Sequence, residues 1–210
     1  MKSYKIPEAT ISRLSLYSRY LKKLIEEGVT TVSSLRIAEG VGVTSAQVRK
    51  DFAYFGEFGT RGVGYDVQSL LNDILNILGL NKIWHVVLVG AGNLGKALSM
   101  YNPFKERGFQ LVAIFDNDES KISTRINGVK VYPINRMNEI VEHFNAEIGI
   151  LTVPAVAAQE TCNALMESGI KAILNFSPTM LVVNRDVELR NVDLSVQLEV
   201  LTFNTILKRG

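Results

Sequence analysis

Residues 84–95 read Trp-His-Val-Val-Leu-Val-Gly-Ala-Gly-Asn-Leu-Gly, and this stretch constrains the fold more than any other in the chain. The apolar run His85 to Val89 has the length of a buried strand. It meets Gly90, Gly92 and Gly95 in G-x-G-x-x-G spacing, and a helical pattern runs on to Tyr101. Gly90 permits the tight strand-to-helix turn, Gly92 lets the backbone approach a pyrophosphate, and Gly95 lets helix and strand pack closely. Amides of the first helical turn, aided by the helix dipole, then point at the phosphates. The spacing predicts a dinucleotide-binding loop made of Gly90, Ala91, Gly92, Asn93, Leu94 and Gly95. Glycines also cluster in ordinary loops, and the second signal is Asp116. It ends a strand at 110–116, 21 residues beyond Gly95, where a carboxylate can accept both ribose hydroxyls of an adenosine.

From Trp84 onward, strands and helices alternate. Strands are expected at 85–90, 110–116, 129–132, 148–153, 172–176 and 187–192, with helices at 93–101, 118–123, 136–144 and 155–168. Such alternation predicts an α/β domain with a doubly wound parallel sheet. Pro103 should stop the first of these helices. Thr152, Val153 and Pro154 end the fourth strand, and Asn175, Phe176 and Ser177 end the fifth, at the carboxyl edge where such folds bind ligands. These two loops are expected to flank the far half of the dinucleotide, its nicotinamide. A last helix, Leu194 to Leu207, has too few polar residues for a solitary surface helix and is expected to be covered by a second subunit.

The first third of the chain is different. Residues 1–65 carry ten Lys and Arg against six Asp and Glu, whereas the remainder carries thirteen against fifteen. A basic segment of this kind suits a polyanion. Pro7 opens a helix with Leu14, Leu21 and Leu24 on one face and Gly28 as its stop. A short second helix through Leu35, Ile37 and Ala38 is expected to break at Gly40 and Gly42. Thr44 and Gln47 form a capping box for a third helix, Ser45 to Phe55, with Val48, Phe52 and Phe55 facing the core. Two short helices joined by a glycine turn match a helix-turn-helix, whose second helix reads base edges from its first turns. Ser45, Gln47, Arg49 and Lys50 lie there, and Gln and Arg suit adenine and guanine. The glycine-rich run from Gly56 to Gly64 then suits a small hairpin, a wing whose tip residue Arg61 can reach a minor groove. An amphipathic helix, Asp66 to Leu78, leads to the domain boundary. The expected domains are 1–80, 81–193 and the helical tail 194–210.

The chain holds few groups for catalysis. Of two histidines, His85 starts the first sheet strand, away from the nucleotide, and His143 lies on a polar helix face. Tyr101 and Lys105 have the Tyr-x-x-x-Lys spacing of short-chain dehydrogenases, but Pro103 breaks the helix that would align them. No metal-ligand spacing or Gly-x-Ser-x-Gly elbow is present. The one cysteine, Cys162, sits in an apolar helical pattern and reads as core. With no run of about 20 apolar residues and no signal-peptide pattern, the chain reads as soluble and cytoplasmic. A binding site without catalytic groups points to a sensor. A Rossmann enzyme with a basic interaction domain and a coenzyme A-binding module remain the alternatives.

With these residues in hand, nearly the whole chain resembles the Rex family of redox-sensing transcriptional repressors. The likeness is carried by Ile11-Ser12-Arg13-Leu14, Gln47-Val48-Arg49-Lys50-Asp51, Tyr54-Phe55-Gly56, and Gly59 to Tyr65. It continues through the glycine motif, Leu151 to Pro154, Ile173 to Phe176, and Asn191-Val192-Asp193. The resemblance implies a winged helix-turn-helix domain, a Rossmann-like domain, and C-terminal helices swapped within a homodimer. It implies binding to inverted-repeat double-stranded DNA compatible with NAD+ and released by NADH, with Tyr54 added to the DNA contacts. It also implies a switch in which contacts are redistributed among Arg19, Tyr101 and Asp193.

Overall fold

Pro7, with its fixed φ and no N–H to leave unpaired, stands directly before helix α1 (Glu8–Glu26). A computed structural model describes residues 6–60 and 62–208, and the chain divides into two units, Met1–Lys82 and Ile83–Gly210. In the first unit, α1 is followed by a two-residue strand β1 (Thr31–Val32), α2 (Ser34–Val41), α3 (Ser45–Ala53), strand β2 (Tyr65–Asp66) and α4 (Val67–Ile77). Side-chain caps set three of these helix starts. Ser33 accepts the N–H of Arg36 at 3.1 Å, Thr44 that of Gln47 at 3.1 Å, and Asp66 that of Ser69 at 2.7 Å.

The core of this unit joins Leu14, Tyr17 and Leu21 of α1 to Ile37 of α2, Val48 and Phe52 of α3, and Val67 and Ile74 of α4. Burying each such side chain stabilises the fold by about 1.5–3 kcal/mol. Phe52 is the hub: its ring meets Tyr17, Phe58 and Tyr65 edge-on at centroid distances of 5.6, 5.5 and 5.4 Å. Strand β1 pairs antiparallel with β2, and Thr60 bridges Gly64 in antiparallel fashion just before β2. Two expectations need correction. Gly40 does not break α2 but lies inside it, because a Cβ there would sit 2.3 Å from the Tyr20 ring. Helix α3 ends at Ala53, one turn's tail short of Phe55, which stays partly buried against the core.

The second unit is a seven-stranded sheet. In chain order it runs β3 (Trp84–Val89), α5 (Asn93–Ser99), α6 (Asn102–Glu106), β4 (Phe109–Asp116), β5 (Arg125–Ile126), β6 (Val129–Pro133), α7 (Met137–Phe144), β7 (Ile148–Leu151), α8 (Ala155–Glu167), β8 (Ala172–Asn175), β9 (Glu188–Asn191) and α9 (Leu194–Leu207). The spatial order is β5-β6-β4-β3-β7-β8-β9, parallel throughout except for β5, which pairs antiparallel with β6. Without β5 this is the Rossmann order, with its switch point between β3 and β7. Both faces are covered: Val87, Val89, Ala113 and Phe115 face one core with Ile140 and Cys162, while Val86, Leu88 and Ile114 face the other with Leu98 and Phe104.

Two elements differ from expectation here. Residues 118–123 form turns and not a helix, since Asp116 takes the N–H of Asp118 at 2.9 Å and Asp118 that of Ser120 at 3.0 Å. Side chains that capture backbone N–H groups two residues on compete directly with helix. The helix expected at 93–101 ends at Ser99, and Pro103 opens the first turn of a separate helix, α6. No described helix is long and apolar enough to cross a membrane.

Candidate nucleotide and nucleic-acid sites

The glycine loop connects β3 to α5 at the carboxyl edge of the sheet. Gly90 has φ +102°, and a Cβ on it would lie 2.7 Å from the carbonyl oxygen of Thr152. A Cβ on Gly95 would lie 1.9 Å from the carbonyl oxygen of Gly90, so the helix can approach the strand only without a side chain. A Cβ on Gly92 would meet nothing within 4 Å. Two glycines are therefore demanded by the protein's own packing and the third is not. Its bare backbone opens outward beside exposed Asn93 and Leu94, as a cradle for a pyrophosphate requires.

Asp116 lies against this loop with only 6% exposure. Its carboxylate accepts the N–H of Ala91 at 2.7 Å and that of Asp118 at 2.9 Å, and Lys121 Nζ lies 3.3 Å from its Oδ2. The same ammonium is 3.3 Å from Oδ2 of Asp118. Lys121 and Asp118 escaped the sequence reading because a helix was expected there; the alternation Asp116-x-Asp118 was the available signal for Asx turns.

The two loops beyond β7 and β8 are tied to each other. Thr152 places its hydroxyl 2.8 Å from the Gly90 carbonyl oxygen, bracing the glycine turn. Buried Asn175 accepts the Ser177 N–H at 2.8 Å and donates to Asn191 Oδ1 at 2.9 Å, while the Ser177 hydroxyl donates to the Val153 carbonyl at 2.6 Å. Thr152, Asn175 and Ser177 thus fix the two loops to the glycine turn and to each other, while Val153 and Phe176 are partly buried against opposite cores and Pro154 is exposed. A cavity of about 440 Å³ adjoins these loops, lined by Ser177, Met180, Asn191, Asp193 and Val196.

In the first unit, Arg49, Lys50 and Tyr54 are exposed on or just after α3, and Ser45 and Gln47 are partly buried. Arg49 Nη1 donates to the Ser34 hydroxyl at 3.1 Å. The Gln47 amide does not complete a capping box; it donates to Asp51 at 2.9 Å. Arg61 lies outside the described residues. Asp51 itself is fully buried and collects the Thr10 hydroxyl at 3.0 Å, Arg13 at 2.6 and 2.7 Å, and the Tyr17 hydroxyl at 2.8 Å. Burial opposes its ionisation, but hydrogen bonds from Arg13, Tyr17, Gln47 and Thr10 prevail and hold its pKa below the ordinary value. Sequence reading missed this cluster, though 48, 51, 52 and 55 share one helical stripe, and a carboxylate in an apolar stripe demands a buried partner.

Arg19 is exposed on α1. Tyr101 is half exposed, edge-on to Phe104 at 5.1 Å between centroids, at the end of the sheet where β3 and β4 begin. Asp193 lies past the carboxyl end of β9 and caps α9, accepting the Ser195 N–H at 2.9 Å and its hydroxyl at 2.5 Å. Tyr101 and Asp193 stand at opposite ends of one sheet, so a single chain does not bring them together.

Comparison with known proteins agrees with both halves. One matching family model, described as a CoA binding domain, spans residues 81–179, and another, described as putative DNA-binding protein N-terminus, spans residues 5–53. A protein of Carboxydothermus hydrogenoformans named redox-sensing transcriptional repressor Rex is 62% identical over 204 residues, covering 97% of this chain and 98% of its own. The crystal structure of RSP with β-NAD+ and operator DNA superimposes with a TM-score of 0.92 at 39% identity, covering 97% of this chain and 94% of its own. RSP with β-NADH gives a TM-score of 0.87 at 37% identity, covering 99% and 97%.

Proposed function

The chain belongs to the Rex family of redox-sensing transcriptional repressors, and from that premise we propose that it binds an inverted-repeat operator as a homodimer and leaves it when NADH occupies its Rossmann domain. The family's members are repressors and not enzymes. The observation that carries the reading is the joining, in one chain, of a winged helix to a glycine loop whose Gly92 backbone faces open space. The residues fit the cofactor: amides at 92–95 hold the pyrophosphate, Asp116 and its neighbours meet the adenosine ribose, and the loops at 152–154 and 175–177 flank the nicotinamide. That ring is cationic in NAD+ and neutral in NADH, which is the difference a sensor must read. A ligand shifts the protein only by its differential affinity for two states.

On the DNA side, Arg49, Lys50, Ser45 and Tyr54 engage the major groove and phosphates, and Arg61 the minor groove. Gln47 reaches the groove only by leaving Asp51. Arg19, Tyr101 and Asp193 form the switch, with Asp193 drawn from its capping role. Because Tyr101 and Asp193 lie at opposite ends of one sheet, such a contact is made between subunits. The units at 1–80 and 81–193 are joined in the dimer by the tail 194–210, and the protein acts in the cytoplasm.

Fluorescence anisotropy of a labelled inverted repeat, at one salt concentration, tests the reading. Release by micromolar NADH but not by equal NAD+ is expected; binding indifferent to both overturns it. Coenzyme A is a second reading, favoured by the family model over 81–179. Displacement of NADH by coenzyme A in competition would establish it.

A further inference from the structure

At the adenosine end of the nucleotide loop, a single ammonium is held by two carboxylates. Lys121 Nζ stands 3.3 Å from Asp116 Oδ2 and 3.3 Å from Asp118 Oδ2. The two acids differ in setting. The Asp116 side chain is 7% exposed and locked by the N–H groups of Ala91 and Asp118, whereas that of Asp118 is 43% exposed and that of Lys121 30%. A carboxylate offers about four acceptor sites. Three on Asp116 are taken, which leaves about one for a ribose hydroxyl. Asp116 alone is thus poorly placed to accept both hydroxyls, and Asp118 and Lys121 form the more exposed rim beside it.

We infer that Asp118 determines nucleotide specificity, by keeping Lys121 occupied and unavailable to a 2′-phosphate. A lysine beside the ribose of a bound dinucleotide is a ready phosphate ligand. Here two carboxylates surround it, so the local charge is negative and a phosphate is repelled. Removing the charge of Asp118 leaves the cluster neutral and frees one ammonium hydrogen to bind phosphate. Removing Lys121 leaves two uncompensated carboxylates, and exclusion becomes stricter. The inference rests on reading residues 90–95 as an NAD(H) site.

Calorimetric titration of the full chain with NADH and NADPH tests it. Asp118→Asn keeps the oxygen that accepts the Ser120 N–H, so the turn persists. This variant is expected to bind NADPH at least roughly tenfold more tightly than the parent, the scale of one charge-assisted hydrogen bond, and to raise the ratio of NADPH to NADH affinity by at least that factor. Lys121→Met is expected to gain nothing, and the double variant to lose the gain of Asp118→Asn. No gain in Asp118→Asn, or a gain that survives in the double variant, overturns the role of this cluster while the parent still binds NADH. A parent that binds neither nucleotide overturns the NAD(H) reading itself, and this inference with it.

Discussion

The hydroxyl of Tyr17 donates to Oδ2 of Asp51 at 2.8 Å, with both side chains wholly buried between α1 and α3. Arg13, one turn before Tyr17, reaches the same carboxylate with two nitrogens. The orientation of α3 on α1 therefore depends on a polar cluster as well as on the apolar contacts around Phe52. Removing one partner of a buried, hydrogen-bonded pair costs about 3–5 kcal/mol, because the donors left behind lose their acceptor. Asp51→Ala is expected to lower the unfolding free energy of the winged-helix unit by that amount, read as a lower urea midpoint at an unchanged m-value, and an effect below about 1 kcal/mol would refute it.

The same cluster sets a pH dependence. The folded pKa of Asp51 lies below its ordinary 3.8, so between the two values the unfolded chain binds more protons. Stability from this group is then complete above the unfolded pKa and lost as pH falls through the folded one. Urea titrations at about pH 5 and about pH 3 should show a steeper acid loss in the parent than in Asp51→Asn. Parallel losses would show that folding leaves the pKa of Asp51 unshifted, and a shallower loss in the parent would show that the fold holds it protonated.

Lys50 is exposed on α3 and Arg49 is held by Ser34, so the two cations differ in freedom. If Lys50 meets phosphate, Lys50→Gln lowers affinity for all DNA sequences alike and makes the salt slope shallower by about one. Anisotropy at several salt concentrations measures both, and an unchanged slope refutes a phosphate contact.

The glycine motif separates folding from binding. Gly95→Ala drives a methyl group into the Gly90 carbonyl oxygen, whereas at Gly92 a methyl group enters open space. Gly95→Ala should unfold several degrees earlier. Gly92→Ala should melt like the parent yet bind NADH at least roughly tenfold more weakly, since the methyl occupies the approach of the pyrophosphate. Melting curves with and without NADH distinguish these outcomes, and normal NADH binding by Gly92→Ala would remove the cradle from the site.

Much of this architecture was legible in the chain. Strands β3, β4 and β7 are apolar runs that end at or shortly before glycine, aspartate or proline, because buried parallel strands need continuous apolar residues and a chain-reversing stop. Local signals failed where a side chain answers to a distant partner. Gly40 reads as a helix breaker, but only Tyr20 explains it. Gln47 reads as half of a capping box, but Asp51, four residues on, takes its amide. Residues 118–123 carry a helix-like pattern that the carboxylates of Asp116 and Asp118 convert into turns. The hairpin of β5 and β6 was signalled by Asn127-Gly128, both at positive φ, yet its two-residue strand is too short to show a period.

Helix α9 bears on assembly. None of its residues is buried, although Leu198, Val200, Leu201, Phe203 and Ile206 are all apolar. A face of that kind is covered in solution, and each large side chain removed from water contributes about 1.5–3 kcal/mol. A charge at Phe203 costs the lost burial plus the desolvation of an unpaired carboxylate. Phe203→Asp combined with Leu198→Asp should therefore weaken self-association by at least about a hundredfold, which follows from about 2.7 kcal/mol. Light scattering at micromolar concentration should find the parent dimeric and the variant monomeric, with the urea midpoint of the winged-helix unit unmoved. The variant should still bind NADH if the nucleotide loop is complete within one chain, and lose cooperative binding to an inverted repeat. A parent already monomeric, or a variant still dimeric, would show that α9 is covered by something other than a second copy of this chain.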